Sequence, residues 1–437
     1  MTETYPTLTA LFTDIAEAIR EKTGDTDSII ADDFPDVIRE KWQVAPSPPP
    51  LPYLTFSSPN TFTLKVYDLA KHWDGTLEYS TDASNWHIWD GTTKLSSNTN
   101  GDTKSLYLRG TGNTKIVGNN NNYRWYLEGS YIACTGNIEN LLDYRTVKSG
   151  GHPPMADYCY YYMFYNCTAL TQAPALSATI LTSNCYYAMF FKCTGLTQAP
   201  ELPATTLAEG CYAYIFQDCA SLTKASELPA TKLAKECYKG MFYHCTGLTN
   251  APELPATTLE EGCYKFMFQG CSSLTQAPAL PATTLATGCY QYMFHHCTSL
   301  TKAPELPATK LAKDCYWSIF NRCTSLTQAP SILPATTLAE SCYKFMFEFT
   351  AITTIPKIMA TTYATDSCKG MFDDIKTLNI YSSSRPGYTY GWAAPASTYC
   401  SIMFGSDDGE SEWAKLDGSN FPNSGTPTEG KTYYFYG

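Results

Sequence analysis

The sequence is poor in charged residues and in histidine. Charged side chains make up 16% of its 437 residues, and His occurs only 6 times. The balance is acidic, with 30 Lys and Arg against 41 Asp and Glu. No basic run is present, which argues against nucleic acid as a partner, because binding to phosphates needs clustered Lys and Arg. No stretch approaches the roughly 18 consecutive apolar residues of a membrane-spanning helix, so we expect no membrane span.

Motifs that support catalysis or hold cofactors and metals are also lacking. We find no phosphate-binding loop, dinucleotide-binding glycine motif, zinc-protease motif or nucleophile elbow in a suitable context. His295 and His296 precede Cys297 without a second group of ligands, so we predict no metal site and no cofactor. One repeated position is acidic in four units: Glu201, Glu227, Glu253 and Glu305. A repeated acid favours a surface row over the two fixed carboxylates of a glycosidase. We therefore predict a non-enzymatic protein, with a polysaccharide-degrading enzyme as a distant alternative.

What the chain has in abundance is one repeated unit. Its first cysteine recurs at intervals of 26 or 27 residues, at Cys159, Cys185, Cys211, Cys237, Cys263, Cys289, Cys315, Cys342 and Cys368. The unit reads C-Y-x-x-M-F-x-x-C-T-x-L-T-x-A-P-x-L-P-A-T-x-L-A-x-x. A fixed period of this length is typical of stacked arrays, in which each unit buries its apolar face against its neighbours. The constant positions i, i+1, i+4, i+5 and i+8 predict one or two helical turns. The L-T-x-A stretch predicts a short strand.

The repeat resembles a known family. The motifs C-x-S-L-T, M-F-x-x-C and L-P-A-T-T-L-A, over residues 134–372, resemble the BspA-like leucine-rich repeats of gut bacteria and their phages. This resemblance implies a leucine-rich-repeat solenoid of parallel strands and short helices. It also implies an extracellular protein that adheres to host proteins or to other cells.

The cysteines of the repeats fall into two columns. The second column comprises Cys167, Cys193, Cys219, Cys245, Cys271, Cys297 and Cys323. Disulfides within each unit would leave Cys342 and Cys368 unpaired, because Thr350 and Lys376 stand at their partner positions. We favour reduced cysteines that pack in the core as small apolar side chains. Disulfides along a column are the alternative, because neighbouring strands lie within bridging distance.

Residues 1–43 predict a short α-helical head. Its apolar stripe at helical spacing comprises Leu8, Leu11, Phe12, Ile15 and Ile19. Two small helices bury little surface alone, so we expect this stripe to dock onto a larger assembly or onto copies of the same chain. An ordinary helical cap on the next domain is the alternative. Residues 11–38 are similar to an N-terminal segment of tail and other structural proteins of gut phages, which implies docking to virion structural proteins.

The rest of the chain divides by composition. Residues 44–50 are rich in proline and predict a stiff linker. Residues 51–133 alternate apolar and polar side chains between turn sequences, as at Phe62, Leu64 and Val66, and predict an all-β sandwich. The repeats follow over residues 134–372, and residues 373–437 predict a C-terminal cap that covers the last open edge.

Two sets of variable positions are candidate ligand-binding residues. The first is the variable residue of L-T-x-A: Gln172, Gln198, Lys224, Asn250, Gln276, Lys302 and Gln328. The second consists of aromatic residues on the predicted helices: Tyr161, Tyr187, Tyr243 and Trp317. Polar strand residues can hydrogen-bond a glycan or a peptide, and exposed aromatic residues often mark binding surfaces. The alternatives are a solvated strand face and rings that pack between units.

Together these features predict a multidomain, non-enzymatic virion appendage or receptor-binding protein of a gut phage. Its repeats would contact a bacterial surface glycan, a protein or mucin, and it would lie on the virion surface. The alternative is an adhesin on the surface of a gut bacterium.

Overall fold

The computed structural model describes residues 51–373, residue 375 and three short strands near the C-terminus. The predicted head with Leu8, Leu11, Phe12, Ile15 and Ile19, the predicted linker and most of the predicted cap lie outside the described residues. The chain divides into two compact units, Met1–Leu51 and Pro52–Gly437. All of the described residues except Leu51 belong to the second unit.

The first part of this second unit is built from two sheets. Its strands are β1 (Leu54–Ser58), β2 (Thr63–Val66), β3 (Thr76–Ser80), β4 (His87–Trp89), β5 (Leu95–Ser96), β6 (Lys104–Thr111), β7 (Trp125–Glu128) and β8 (Ile132–Thr135). One sheet has the order β4-β3-β6-β1-β8, continued by β9 (Leu170–Gln172) of the first repeat, and the other has the order β5-β2-β7. Leu54 and Phe56 of β1 are fully buried between half-buried neighbours, as the alternating pattern of a strand requires. We call residues 54–135 the β region.

The β region and the first repeat share a sheet and a core. Strand β8 pairs in parallel with β9, so the sheet continues across residues 133–134, where the sequence predicts a domain boundary. The backbone N–H of Trp125 donates to the carbonyl of Met163 at 2.7 Å, and the N–H groups of Ile116 and Val117 donate to that of Cys159. The helix α1 (Asn140–Lys148) packs against β6. The β region therefore supplies hydrogen-bond donors to the carbonyl groups of the first repeat.

The predicted short helices of the repeats are absent. Within the described residues α1 is the one α-helix, and the segment C-Y-x-x-M-F-x-x-C folds instead as consecutive turns. In the first repeat, Tyr158, Tyr162 and Asn166 have left-handed φ values of 59°, 53° and 59°. Left-handed residues at every fourth position are incompatible with a right-handed helix. The predicted leucine-rich-repeat fold class, with a helix in each unit, is therefore wrong.

The turn segments satisfy their backbone groups in two directions. The N–H of Tyr161 donates within its own repeat, to the carbonyl of Tyr158 at 3.2 Å. The N–H of Tyr160 donates to Cys185 in the next repeat at 2.8 Å, and that of Phe164 donates to Met189 at 2.8 Å. This alternation recurs along the stack. In this ladder of turn segments the donors lie in the earlier repeat and the acceptors in the later one.

Two further segments of each repeat align the stack. The L-T-x-A stretches are joined by parallel bridges such as Gln198↔Lys224 and Lys302↔Gln328, and the A-T-x-L stretches by bridges such as Thr206↔Lys232. Near the end of the array, β10 (Ile332–Leu333) pairs in parallel with β11 (Lys357–Ile358). The last three strands, β12 (Ile402–Gly405), β13 (Ala414–Leu416) and β14 (Tyr434–Tyr436), form an antiparallel sheet with β12 in the middle. We call residues 159–373 the array.

The core of the array consists of columns of identical residues. The tyrosine after each first-column cysteine stacks on its copy in the next repeat, with centroids 5.4 Å apart for Tyr160 and Tyr186 and 6.0 Å apart for Tyr316 and Tyr343. A parallel column of phenylalanines runs from Phe164 to Phe372. Centroid separations of this size are typical of stacked aromatic rings. The repeat sequence therefore produces a repeated core.

The cysteine columns lie in this core as thiols. All seventeen described cysteines are buried, and none of them forms a disulfide with another described cysteine. In the second column the thiols donate to the carbonyl of the preceding repeat's phenylalanine, for example Cys193 Sγ to Phe164 O at 3.0 Å. Burial raises the pKa of Cys185 to about 12 and that of Cys323 to about 12. These thiols act as small apolar side chains with one weak donor, and their raised pKa values disfavour reactive thiolates.

Candidate functional site

The variable residues of L-T-x-A form one exposed row along the array. The row comprises Gln172, Gln198, Lys224, Asn250, Gln276, Lys302 and Gln328, and all seven are exposed. Consecutive members pair directly in four parallel bridges, from Gln198 to Gln276 and again from Lys302 to Gln328. Neighbouring parallel strands lie about 4.8 Å apart, so the row presents amide and ammonium groups at a regular, closely spaced interval. The structure therefore brings this predicted set together. We call it the polar row.

A groove opens on the polar row where three of its members meet. It has a volume of about 740 Å³ and is lined by Gln276, Lys302 and Gln328 together with Pro281 and Glu305. We call it the Lys302 groove. A smaller groove of about 140 Å³ lies at the equivalent positions around Lys224, and we call it the Lys224 groove.

The two grooves differ at one acidic position. In the Lys224 groove this position is Glu227, and the next repeat has Glu253. In the Lys302 groove the earlier of the two repeats has Ala279 instead, and Glu305 is the one acid in its lining. Each lining therefore contains one acid, and the larger Lys302 groove also contains the small, uncharged Ala279.

Tyr161 and Tyr187 belong to an aromatic patch on the first turn segments. Their rings stack at 5.0 Å with an interplanar angle of 24°. The first aromatic patch comprises Tyr158, Tyr161, Tyr162, Tyr165, Tyr187, Phe191 and Tyr214. Partial burial raises the pKa of Tyr162 to about 12. The patch therefore presents neutral, half-buried rings, partly engaged with one another.

Tyr243 and Trp317 belong to a second aromatic patch and are joined through residues outside the predicted set. Tyr243 contacts the ring of Phe266 at 6.5 Å, Phe266 contacts Tyr292 at 5.5 Å, and Tyr292 contacts Trp317 at 5.5 Å. Phe266 and Tyr292 both have left-handed φ values, 60° and 56°. They occupy the same position of the repeat, three residues after the first cysteine, which is the signal that could have grouped them.

A histidine with an unusual environment lies within the second patch. The ring of His295 is 5.4 Å from that of Tyr292, and its Nδ1 is buried without a hydrogen-bond partner among the described residues. Burial, reinforced by the charges of His296 and Arg322, lowers the pKa of His295 to about 4. His295 is therefore neutral at physiological pH.

The polar row and the aromatic patches lie on different segments of the repeat. Buried residues stand between them, for example Cys245 and Leu248 between Tyr243 of the second patch and Asn250 of the polar row. Within the part of the chain that the structure describes, no three His, Cys, Asp or Glu residues are placed to hold a metal ion. None of the helices described is long and apolar enough to span a membrane. The geometry offers hydrogen bonding along the row and ring stacking on the patches.

Comparison with known proteins identified no relative of this chain. No protein-family description, curated protein or solved structure matches this chain. The geometry of the polar row and the resemblances of the sequence motifs therefore carry the functional argument.

Proposed function

We propose that this chain is a non-enzymatic receptor-binding appendage of a gut phage particle. Its repeats contact a glycan or a protein at the surface of a gut bacterium, or they contact gut mucin. The observation that supports this most strongly is the polar row, in which seven long polar side chains are exposed side by side. Such a row can form many hydrogen bonds to an elongated ligand, because every repeat offers similar donors and acceptors at the same position on its surface.

The frame beneath the row favours binding. The backbone of each repeat is held by hydrogen bonds within the repeat and to the next one. The backbone that carries the row is therefore held in place by the stack, and it gains little further order when a ligand binds. Preorganisation of this kind lowers the entropic cost of association. The two aromatic patches add rigid rings at low entropic cost, as in other binding surfaces rich in tyrosine.

The virion setting is supported by the similarity of residues 11–38 to a segment of phage structural proteins. In this proposal the head docks onto other virion proteins and the repeats extend toward the host. The resemblance to BspA-like repeats is equally compatible with an adhesin on the surface of a gut bacterium, so the location of the protein needs a separate test. Immunogold labelling of phage particles and of the host cells distinguishes the two locations.

Binding of the labelled full-length protein to a panel of gut bacteria and to immobilised mucin tests the adhesive function. The full chain is needed, because a fragment that begins at residue 134 would cut the sheet that joins β8 to β9. The row variant replaces Gln198, Asn250, Gln276 and Gln328 by Ala. The control variant makes the same change at four exposed A-T-x-L positions, Thr206, Thr258, Thr284 and Thr337. We expect saturable binding that the row variant loses and the control keeps. Equal binding by both variants, or none by the unmodified protein, would contradict the proposal.

A further inference from the structure

The lysines of the array follow a longer period than the repeat. At three exposed or half-buried positions of the unit, Lys occurs in the third and sixth repeats only: Lys224, Lys232 and Lys235, and again Lys302, Lys310 and Lys313. The other repeats from the first to the seventh have other residues at these positions, mostly Gln, Asn, Thr, Ile, Ser or Glu. The pattern thus recurs after three repeats, and the two described grooves lie at Lys224 and Lys302.

The lysines that line the grooves lack the ion pairs that others in the same repeats have. Lys235 pairs with Glu261 at 3.2 Å, and Lys313 pairs with Glu340 at 2.8 Å. Within the described range, neither Lys224 nor Lys302 has a carboxylate within ion-pair distance. Their charges are therefore available to a ligand.

The surroundings of Lys302 favour an anion more than those of Lys224. Glu305, the one acid in the lining, is engaged by Ser331, whose Oγ and N donate to it at 2.8 and 3.2 Å. Ala279 stands where four other repeats have an acid, Glu201, Glu227, Glu253 and Glu305. Each groove has one acid in its lining. In the repeats on either side of Lys302 the acidic position holds Ala279 and Ser331, whereas in those on either side of Lys224 it holds Glu201 and Glu253.

We propose that the Lys302 groove binds the acidic sugar of a glycan, an inference that depends on the adhesive function proposed above. Lys302 pairs with the carboxylate or sulfate of the sugar. The amides of Gln276 and Gln328, on either side of it, hydrogen-bond the neighbouring hydroxyl groups. The flat walls formed by Ala277, Pro281 and Pro304 face the apolar surface of the ring.

A glycan fits this groove better than an acidic peptide. A bound peptide gains much of its affinity by adding a strand to a free sheet edge. In the interior of the array most of the L-T-x-A segments already bridge a neighbour on at least one side, as Gln276 does with Asn250 and Lys302 with Gln328. The groups that the groove offers are side-chain amides, hydroxyls and one cation, which match hydroxyl and acid groups rather than a peptide backbone.

The period of three repeats indicates that the ligand lies along the polar row. Lys224 and Lys302 are three repeats apart, or about 14 Å at the usual strand spacing. A linear acidic polysaccharide that lies along the polar row reaches both lysines. Lys224 is the weaker of the two positions because Glu227 and Glu253 lie nearby along the row.

The test uses the full-length protein and matched pairs of glycans. Polygalacturonate and sialylated mucin are the acidic probes, carboxyl-reduced polygalacturonate and desialylated mucin are their neutral counterparts, and polyglutamate is the peptide probe. Affinity is measured by biolayer interferometry over a series of salt concentrations. We expect the acidic probes to bind at least about tenfold more tightly than their neutral counterparts, with a preference that falls as salt rises.

The variants separate the lysine in the groove from a general charge effect. We expect Lys302→Gln and Ala279→Glu each to weaken binding of polygalacturonate about tenfold, Lys224→Gln to weaken it less, and Lys302→Arg to retain it. The control Lys313→Gln removes the same charge from the same repeat outside the groove and should leave binding unchanged. Circular dichroism checks that each variant folds.

The outcomes distinguish this inference from the adhesive function. Equal affinity for acidic and neutral glycans, or an equal effect of Lys313→Gln, would overturn the acidic-sugar site while leaving adhesion intact. Equal affinity for polyglutamate would overturn the assignment to a glycan. If the protein adheres to bacteria but binds none of these glycans, the inference fails alone. If it binds neither cells nor glycans, both proposals fail.

Discussion

The β region and the array bury their side chains in different ways. In the β region each buried residue has neighbours of its own, as Trp89 does between Trp73 at 5.1 Å and Trp125 at 5.5 Å. In the array a buried residue meets copies of itself, as Tyr238 does between Tyr212 and Tyr264, both at 5.9 Å. A core of the first kind determines one particular packing arrangement. A core of the second kind determines the spacing between repeats, so any chemical property of one repeat recurs in every repeat of the array.

The largest expected difference between the two regions is their stability at alkaline pH. Sixteen of the described cysteines lie in the array and one, Cys134, in the β region. Burial raises the pKa of Cys185 and Cys323 to about 12, whereas a thiol in the unfolded chain has a pKa of about 8.5. The folded array keeps protons that the unfolded chain releases. The free energy of unfolding therefore falls as pH rises from about 8.5 toward 12, by about 1.4 kcal/mol per pH unit for each buried thiol.

Pulsed alkylation of the thiols, read by mass spectrometry across this pH range, measures the effect. We expect the array cysteines to become reactive together above about pH 9, because their contributions add. Cys134 reports on the β region in the same sample, and a sample at about pH 7 serves as the control. Protection of the array cysteines up to about pH 12 would mean that the columns do not set the stability of the stack.

The second difference between the two regions concerns how far the loss of one buried side chain destabilises the surrounding structure. Phe242 stacks between Phe216 and Phe268 at 5.7 Å each. We expect Phe242→Ala and Trp89→Ala each to lower the free energy of unfolding by about 3–5 kcal/mol in denaturant, because both remove a buried ring.

Native-state hydrogen exchange shows where each variant is destabilised. Phe242→Ala should speed exchange in its own and the adjoining repeats, because units of an array contact only their neighbours. Trp89→Ala should loosen both sheets of the β region. The milder Phe242→Leu is the control, and an even loosening of the whole array would contradict the expectation.

The smallest expected effect concerns the left-handed positions, which the β region uses singly and the array uses at every fourth residue of its turn segments. Gly262, with φ of 61°, and Ser341, with φ of 53°, occupy the same position of the repeat. We expect Gly262→Ala to lower the free energy of unfolding by about 1 kcal/mol and Ser341→Gly to raise it by a similar or smaller amount. Thermal unfolding of both variants measures these two changes in stability. Shifts of the same sign would show that side-chain packing, rather than backbone strain, dominates at this position.

The turn segments show where prediction from sequence failed. Over the nine residues of C-Y-x-x-M-F-x-x-C, a period of four and a helical period of about 3.6 differ too little to be separated. A signal was nevertheless present, because Gly210, Gly262 and Gly288 all precede a first-column cysteine, and each has a positive φ. Glycine at one fixed position of a repeat indicates a left-handed residue better than it indicates a helix interior.

The polar row was easier to predict than the aromatic patches. In L-T-x-A the Leu is buried, and the position whose side chain varies among polar residues is expected to face solvent, as Gln276 and its copies do. The constant Thr beside it, for example Thr275, is exposed as well. The grouping of Tyr243 with Trp317 depends on the direction in which Phe266 and Tyr292 leave the backbone. That direction is set by the sign of φ, which the predicted helix had wrong.

The ladder between the turn segments has a direction, and this has a consequence for how the protein can change. Each repeat receives hydrogen bonds from the repeat before it and donates to the repeat after it, and the β region supplies the first donors, as at Trp125. A duplicated repeat would meet the same groups on both sides as the repeat it copies. Recombination within the gene could therefore lengthen or shorten the array by whole repeats, about 4.8 Å at a time, without rebuilding either end. Such an event between the third and sixth repeats would also alter the distance between Lys224 and Lys302, so reach and ligand spacing would evolve together.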